Sequence, residues 1–250
     1  MIPFHTITGP EDAPVLVLSN SLGATLEMWD PQAEQLAQHF RLVRYDTRGH
    51  GSSETPRGPY SIDDVGNDVV ELLDHLDVGR AHIAGLSLGG MTAMWLAVNA
   101  PERVEKLVLL CTSPQLGPAQ GWVDRAATVR EQGTEAIVEA TLERWFTERY
   151  RAQHDVSAIR EMFVRIDDEG YANCCSIIEH MDLAPNLDGI TASTLVIAGA
   201  QDPSTPPDQH AQRNFDGIPD ARLEILDPGA HLINVERPEA VTALILEHLE

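Results

Sequence analysis

Three residues of this sequence, Ser87, Asp202 and His231, have the types and the chain order that nucleophilic attack on a carbonyl group requires. Ser87 lies in the pattern Gly85-x-Ser87-x-Gly89, between a short apolar run and a stretch of helical period. Flanking glycines leave room for a sharp strand-to-helix turn that exposes the hydroxyl. The alternative is a glycine-rich turn with a serine of no chemical role, but the strand and helix patterns around it favour a nucleophile.

Asp202 and His231 each follow a predicted strand. Asp202 lies in the loop after the apolar residues 194–198, and His231 lies in the loop after residues 223–226. The carboxyl ends of parallel strands meet at one edge of a sheet, where open α/β sheets bind ligands. A base at His231, oriented by an acid at Asp202, is therefore expected beside Ser87.

Other residues compete for the acid and base roles. Asp227 is a second candidate acid, but it is only four residues from His231 in the same loop. An acid from a separate strand end is expected to support the ring better. A proline follows Asp202, which could therefore serve only to initiate a turn. His210 and His248 are expected to be solvated.

Two backbone N–H groups are expected to stabilise the oxyanion. One belongs to Leu88, directly after the predicted nucleophile, and the other to Leu22, in the loop after an early strand. The alternative for residues 19–23 is a plain strand-exit turn. Removal of such a donor typically lowers turnover about a hundredfold to a thousandfold.

Strands and helices alternate over the first third of the sequence, which predicts an α/β fold with a mostly parallel central sheet flanked by helices. A helix is also expected to end at Phe40. The predicted strands are residues 15–18, 41–45, 81–84, 104–110, 194–198 and 223–226, and two of the predicted helices are residues 62–76 and 238–249.

Between residues 113 and 192, which we name the cap segment, the pattern is almost entirely helical. We expect a helical cap inserted into a core formed by residues 1–112 and 193–250, as one integrated domain. No repeat or linker indicates a second domain. The helices predicted in the cap segment are residues 122–132, 134–150, 156–167 and 172–181.

The charge of the chain excludes some partners. Its 17 basic and 39 acidic residues give a net charge of −22, which repels nucleic acid and anionic membranes. The sequence has no N-terminal apolar segment and no run of 18 apolar residues, so neither secretion nor a membrane-spanning helix is predicted. Three cysteines without metal spacing predict reduced thiols in a cytoplasmic protein. The sequence does not indicate the oligomeric state.

Longer motifs accompany the serine pattern. They are LSNSLG (residues 18–23) followed by MWDPQ (28–32), RYDTRGHG (44–51), GLSLGGM (85–91), and GYANCC (170–175) ahead of MDL (181–183). With these motifs the whole chain resembles the α/β-hydrolase superfamily, and within it the 3-oxoadipate enol-lactonases. The pair Asn20-Ser21 is more specific than residues 46–51, which are shared across the superfamily, because many other members have His-Gly in that loop.

The resemblance implies hydrolysis of 3-oxoadipate enol-lactone in the β-ketoadipate pathway of aromatic catabolism. Ser87, deprotonated by His231, would attack the lactone carbonyl, and the Leu22 and Leu88 N–H groups would hold the oxyanion. Ring opening expels an enolate that becomes a ketone, and water activated by His231 then cleaves the acyl-enzyme. No metal or other cofactor is implied.

The implied substrate is a small anionic lactone, whereas the protein is strongly acidic. Because salt screens this repulsion beyond about 8–10 Å, donors within the pocket are expected to bind the substrate. For the tryptophans the alternative is packing within the cap, and for each arginine it is a solvated helix face. The candidates are Asn20 and Ser21 from the core, Trp122 and Trp145 from the cap, and one arginine among Arg125, Arg130, Arg144 and Arg165.

Other functions fit the same residues. One is a serine hydrolase for another carboxylated lactone or ester, or for a ring-cleavage product. A second is a cofactor-free haloperoxidase or perhydrolase, which would require peroxide and a short carboxylic acid. A third is a ligand-binding receptor, against which the intact set of Ser87, Asp202 and His231 argues. A dehalogenase would need a carboxylate nucleophile at position 87.

Overall fold

A seven-stranded sheet forms the centre of the computed structural model, which describes all residues from Met1 to Glu250. Most of its strands are apolar runs, as expected for strands that are covered by helices on both faces. The strands are β1 (His5–Thr8), β2 (Val15–Ser19), β3 (Arg41–Tyr45), β4 (Ala81–Leu86), β5 (Val104–Leu110), β6 (Ser193–Gly199) and β7 (Ala221–Leu226).

The spatial order of the strands is β1-β3-β2-β4-β5-β6-β7. Only β1 is antiparallel to its neighbour, so the predicted mostly parallel sheet is confirmed. The central strand β4 is buried along its whole length. Because β4 to β7 run parallel, the carboxyl ends of β4, β6 and β7 lie at one edge of the sheet. The loops with the three predicted catalytic residues leave from that edge.

Eleven α-helices and four short 3₁₀ segments surround the sheet. Short 3₁₀ segments cover Leu26–Trp29, Pro101–Arg103, Thr134–Ile137 and Ala184–Gly189. The helices are α1 (Asp30–Leu36), α2 (Ile62–His75), α3 (Leu88–Asn99), α4 (Ala119–Gln132), α5 (Val138–Trp145), α6 (Glu148–Gln153), α7 (Ser157–Val164), α8 (Asp168–His180), α9 (Ala211–Gly217), α10 (Ile233–Glu236) and α11 (Pro238–Leu249).

The cap segment contains α4 to α8 and no strand. Its boundaries at residues 113 and 192 stay a prediction, but the single helix predicted over residues 134–150 is wrong. The chain leaves the helix at Phe146, which has extended backbone, and the Thr147 hydroxyl accepts the Tyr150 N–H as the N-cap of α6. A threonine that begins a new helix is favoured over one in a helix interior.

The sequence patterns also missed β1, α9 and α10. Strand β1 has only four residues, half-buried or exposed, and its place depends on pairing with β3 rather than on an apolar run. The three cysteines are buried and form no disulfide. No helix combines the length and the apolar character that crossing a membrane requires.

Candidate active site

Ser87 occupies the turn between β4 and α3 with a strained backbone. Its φ of 56° and ψ of −115° are outside the regions that side-chain-bearing residues prefer. Two hydrogen bonds hold this turn: the Ser87 N–H donates to the Leu110 carbonyl at 2.9 Å, and the Thr112 hydroxyl donates to the Ser87 carbonyl at 2.7 Å. The end of β5 and the residues just after it thus hold Ser87 in the sharp strand-to-helix turn expected of a nucleophile.

The two flanking glycines are required by close backbone contacts. A Cβ atom on Gly85 would lie 2.2 Å from the carbonyl oxygen of Gly89, and one on Gly89 would lie 2.2 Å from that of Ser19. Backbone atoms at these distances leave no room for any side chain. The glycine spacing in the sequence therefore reflects the packing of the turn against β2.

Asp202 and His231 form a buried pair, with 2.7 Å between Asp202 Oδ2 and His231 Nδ1. Asp202 Oδ2 also accepts the Thr205 hydroxyl, and Oδ1 accepts the backbone N–H groups of Ser204 and Thr205. Burial by itself raises the pKa of the Asp202 carboxyl, but the charge of His231 and these hydrogen bonds outweigh it and lower the pKa. The competing acid, Asp227, is exposed and makes no hydrogen bond to the ring.

The two predicted oxyanion donors are available. Leu22 lies outside any helix or strand, and its N–H has no hydrogen-bond partner in the protein. The next N–H, of Gly23, donates to His50 Nε2 at 3.0 Å. Burial lowers the pKa of His50 to about 4, so the ring is neutral and can accept this bond. Leu88 is the first residue of α3, where a helix supplies no internal partner for the N–H.

A cavity of about 260 Å³ brings these groups together, because Leu22, Ser87 and His231 all line it. Ser21, Trp122 and Trp145 line it too, as predicted for contacts with substrate. Asn20 does not. Its side chain is fully buried, and its amide nitrogen donates to the Tyr45 carbonyl at 2.6 Å. Asn20 therefore holds the loop after β2 against the end of β3 and does not line the cavity. The roles of the lining residues in catalysis and binding stay predictions that substitution would test.

The structure separates the four arginines proposed for the cap. Arg130 and Arg165 are exposed, and each forms an ion pair with a glutamate on the surface. Arg125 and Arg144 are half-buried and line the cavity. Only the second pair is placed to meet a bound substrate.

Two histidines expected to be solvated are half-buried instead. His210 Nδ1 lies 2.8 Å from the Ser113 hydroxyl, and His248 Nε2 lies 3.2 Å from the Ser193 carbonyl. Neither lines the cavity. His210 directly precedes the short helix α9, and His248 lies in the last turn of α11. The sequence patterns did not indicate how these two segments pack.

Cys111 lies unexpectedly close to the acid and the base. Its sulfur, a carboxylate oxygen of Asp202 and a ring nitrogen of His231 lie within 4.8 Å of one another. Burial and the negative charge of Asp202 raise the pKa of the Cys111 thiol well above its usual range. The thiol therefore stays protonated, which excludes it as a nucleophile.

Glu236 joins the cap segment to the loop of His231, a contact that no sequence pattern indicated. Its carboxylate accepts the N–H of Ala230 at 3.0 Å, and both the N–H and the hydroxyl of Thr147. On the other side of His231, the Leu232 N–H donates to the Trp145 carbonyl at 2.9 Å. The amides on both sides of the predicted base are thus anchored, directly or through Glu236, to residues 145–147.

Glu236→Ala is expected to lower kcat about a hundredfold and to change KM little, because the loop of the base loses one anchor. Glu236→Gln should recover most of this activity, since one amide oxygen can still accept the two backbone N–H groups. Steady-state kinetics of both variants on a cleavable aryl ester measures this. Equal losses in the two variants, or a loss confined to KM, would contradict a positioning role.

These features define a class of protein. A strained serine turn, a buried acid–histidine pair and two backbone N–H groups without partners, with Leu22, Ser87 and His231 lining one cavity, are the components of hydrolases that attack acyl carbonyls. A family model described as alpha/beta hydrolase fold matches residues 14–238. The chain belongs to the alpha/beta-hydrolase family, and the fold predicted from the sequence is confirmed.

Comparison with individual proteins places the chain more narrowly within this family. The chain is 42% identical over 234 residues to 3-oxoadipate enol-lactonase 2 of Acinetobacter baylyi, covering 93% of this chain and 87% of that protein. It is 36% identical over 241 residues to 3-oxoadipate enol-lactonase 1 of the same organism, with the same two coverages. The crystal structure of the enol-lactonase from Burkholderia xenovorans LB400 matches with a TM-score of 0.96 at 42% identity, covering 98% of this chain and 95% of that chain. The resemblance to enol-lactonases is confirmed, and the protein is a hydrolase that acts on ester or lactone bonds.

Proposed function

We propose that the protein hydrolyses 3-oxoadipate enol-lactone to 3-oxoadipate in aromatic catabolism, through an acyl-enzyme on Ser87. The observation that carries this proposal is the 42% identity to an enol-lactonase over 93% of the chain. A match of this extent leaves only a small part of the chain outside the aligned residues. The cavity supports the proposal because its lining includes both hydrophobic residues and two arginines.

In the first half of the reaction, His231 takes the proton of the Ser87 hydroxyl, and the serine oxygen attacks the lactone carbonyl. The N–H groups of Leu22 and Leu88 stabilise the negative oxygen of the tetrahedral intermediate. Asp202 holds the ring by its Nδ1–H, which leaves Nε2 as the basic nitrogen, and stabilises the imidazolium.

In the second half, the intermediate expels the ring oxygen as an enolate, and the acyl group stays on the serine. An enolate is a good leaving group, so it departs without first being protonated by His231. The proton that His231 took from Ser87 then passes to the enolate, which becomes a ketone, and the ring is neutral again. A water molecule, deprotonated by the same histidine, then attacks the acyl-enzyme and releases a carboxylate.

The test follows the ultraviolet absorbance of 3-oxoadipate enol-lactone generated in solution. We expect the protein to remove it with a kcat on the order of 1–10³ s⁻¹. No loss of absorbance, while a simple aryl ester is still cleaved, would keep the hydrolase and exclude this lactone. Activity only with added peroxide and a short carboxylic acid would favour a perhydrolase instead.

A further inference from the structure

Two arginines of the cap segment meet in the cavity without a carboxylate partner. Arg125 Nε donates to the Tyr171 hydroxyl at 2.6 Å, and Arg125 Nη2 donates to the Thr141 hydroxyl at 2.8 Å. Arg144 Nη2 lies 3.3 Å from the same Thr141 oxygen. One neutral hydroxyl thus orients both guanidinium groups, while several of their N–H donors have no partner in the protein.

Two arginines without a carboxylate partner are unusual in a protein with so many acidic residues. The chain has 39 acidic and 17 basic residues, yet no aspartate or glutamate lines the cavity. Arg130, one turn or so along the same helix as Arg125, is paired with Glu169. The acidic surface therefore surrounds a cavity in which the fixed charges are positive.

The pair has an electrostatic cost. Burial and the positive charge of Arg125 lower the pKa of Arg144. The hydroxyl of Tyr171 does not offset the charge of the two arginines. Burial raises the pKa of Tyr171 to about 12, so this hydroxyl stays neutral. Like charges that are partly desolvated repel each other, and an anion between them relieves that repulsion.

We propose that Arg125 and Arg144 form a carboxylate-binding subsite, which selects lactones or esters with a carboxylate group near the scissile carbonyl. The substrate named here rests on the proposed function, but the subsite itself rests on the cavity. A planar guanidinium presents paired donors that match a carboxylate. The same subsite explains how a strongly acidic protein takes an anionic substrate.

The test compares two enol-lactones that differ in one group: the carboxymethyl lactone, and its analogue with a methyl group at that position. Arg125→Gln and Arg144→Gln are each expected to lower kcat/KM for the carboxymethyl lactone roughly 10- to 100-fold. The loss for the methyl analogue should be much smaller, so the preference between the two substrates falls. Arg130→Gln, the matched control on α4, should keep the wild-type preference.

Binding of adipate, a dicarboxylate without a scissile bond, separates this proposal from the proposed function. Calorimetry should show binding to the wild-type protein and to Arg130→Gln, and at least about tenfold weaker binding to either cavity variant. Arg144→Lys, which keeps the charge, should retain part of the affinity and replaces Arg144→Gln if that variant does not fold.

Each outcome has one meaning. Adipate binding that depends on the two arginines, with no turnover of the enol-lactone, would reject the proposed function and keep the subsite. Equal kcat/KM for the two lactones in the wild-type protein, or binding of adipate that is unchanged in Arg125→Gln and Arg144→Gln, would overturn the subsite.

Discussion

Ser87→Ala is expected to lower kcat roughly a millionfold, leaving only the small residual catalysis that the N–H groups of Leu22 and Leu88 and substrate binding provide. The serine is the only hydroxyl at the strained turn between β4 and α3, and it lines the same cavity as Leu22 and His231. Alanine keeps the backbone and removes only the attacking oxygen. The loss should therefore fall on kcat, while the thermal unfolding midpoint changes little.

The measurement is turnover of the enol-lactone and of an aryl ester by the two proteins side by side. Ser176→Ala, which removes a hydroxyl on α8 away from the cavity lining, should keep wild-type activity. An organophosphonate that reacts with active-site serines should label the wild-type protein and Ser176→Ala alone. Residual turnover above about 1% of wild type, or labelling of Ser87→Ala, would show that another residue is the nucleophile.

Local sequence patterns were sufficient to locate the three predicted catalytic positions. The close contacts at Gly85 and Gly89 impose the spacing around Ser87, so the constraint is visible within five residues. Asp202 and His231 follow β6 and β7 directly, and parallel strands bring their loops to one edge of the sheet. In such cases, chain order and strand position alone predict the neighbourhood.

The remaining parts of the site depend on packing between distant segments. The bonds of Glu236 to Thr147 span 89 residues, and no local pattern indicates which carboxylate reaches the loop of His231. The choice between Arg125 and Arg130 depends on which face of α4 meets the cavity. Both are arginines on one amphipathic helix, and only the packing of α4 against α8 separates them.

The second large effect is expected at the acid, and the hydrogen bonds around Asp202 determine how an asparagine would sit there. Oδ1 accepts two backbone N–H groups, from Ser204 and Thr205, and these can only donate. An amide oxygen must therefore occupy that place. The amide nitrogen then replaces Oδ2, which lies 2.7 Å from His231 Nδ1. That nitrogen would donate to Nδ1 and move the imidazole proton to Nε2.

Asp202→Asn is therefore expected to lower kcat about ten-thousandfold, because a protonated Nε2 cannot accept the proton of Ser87. The fold should be kept, since asparagine preserves the volume and the backbone contacts of the loop. Steady-state kinetics on the aryl ester measures the effect, with Asp227→Asn as the control in the neighbouring loop. Because Asp227 is exposed and does not contact the ring, its variant should have wild-type turnover. The opposite result, a large loss in Asp227→Asn and near-full activity in Asp202→Asn, would assign the acid to Asp227 and show that the buried pair is structural.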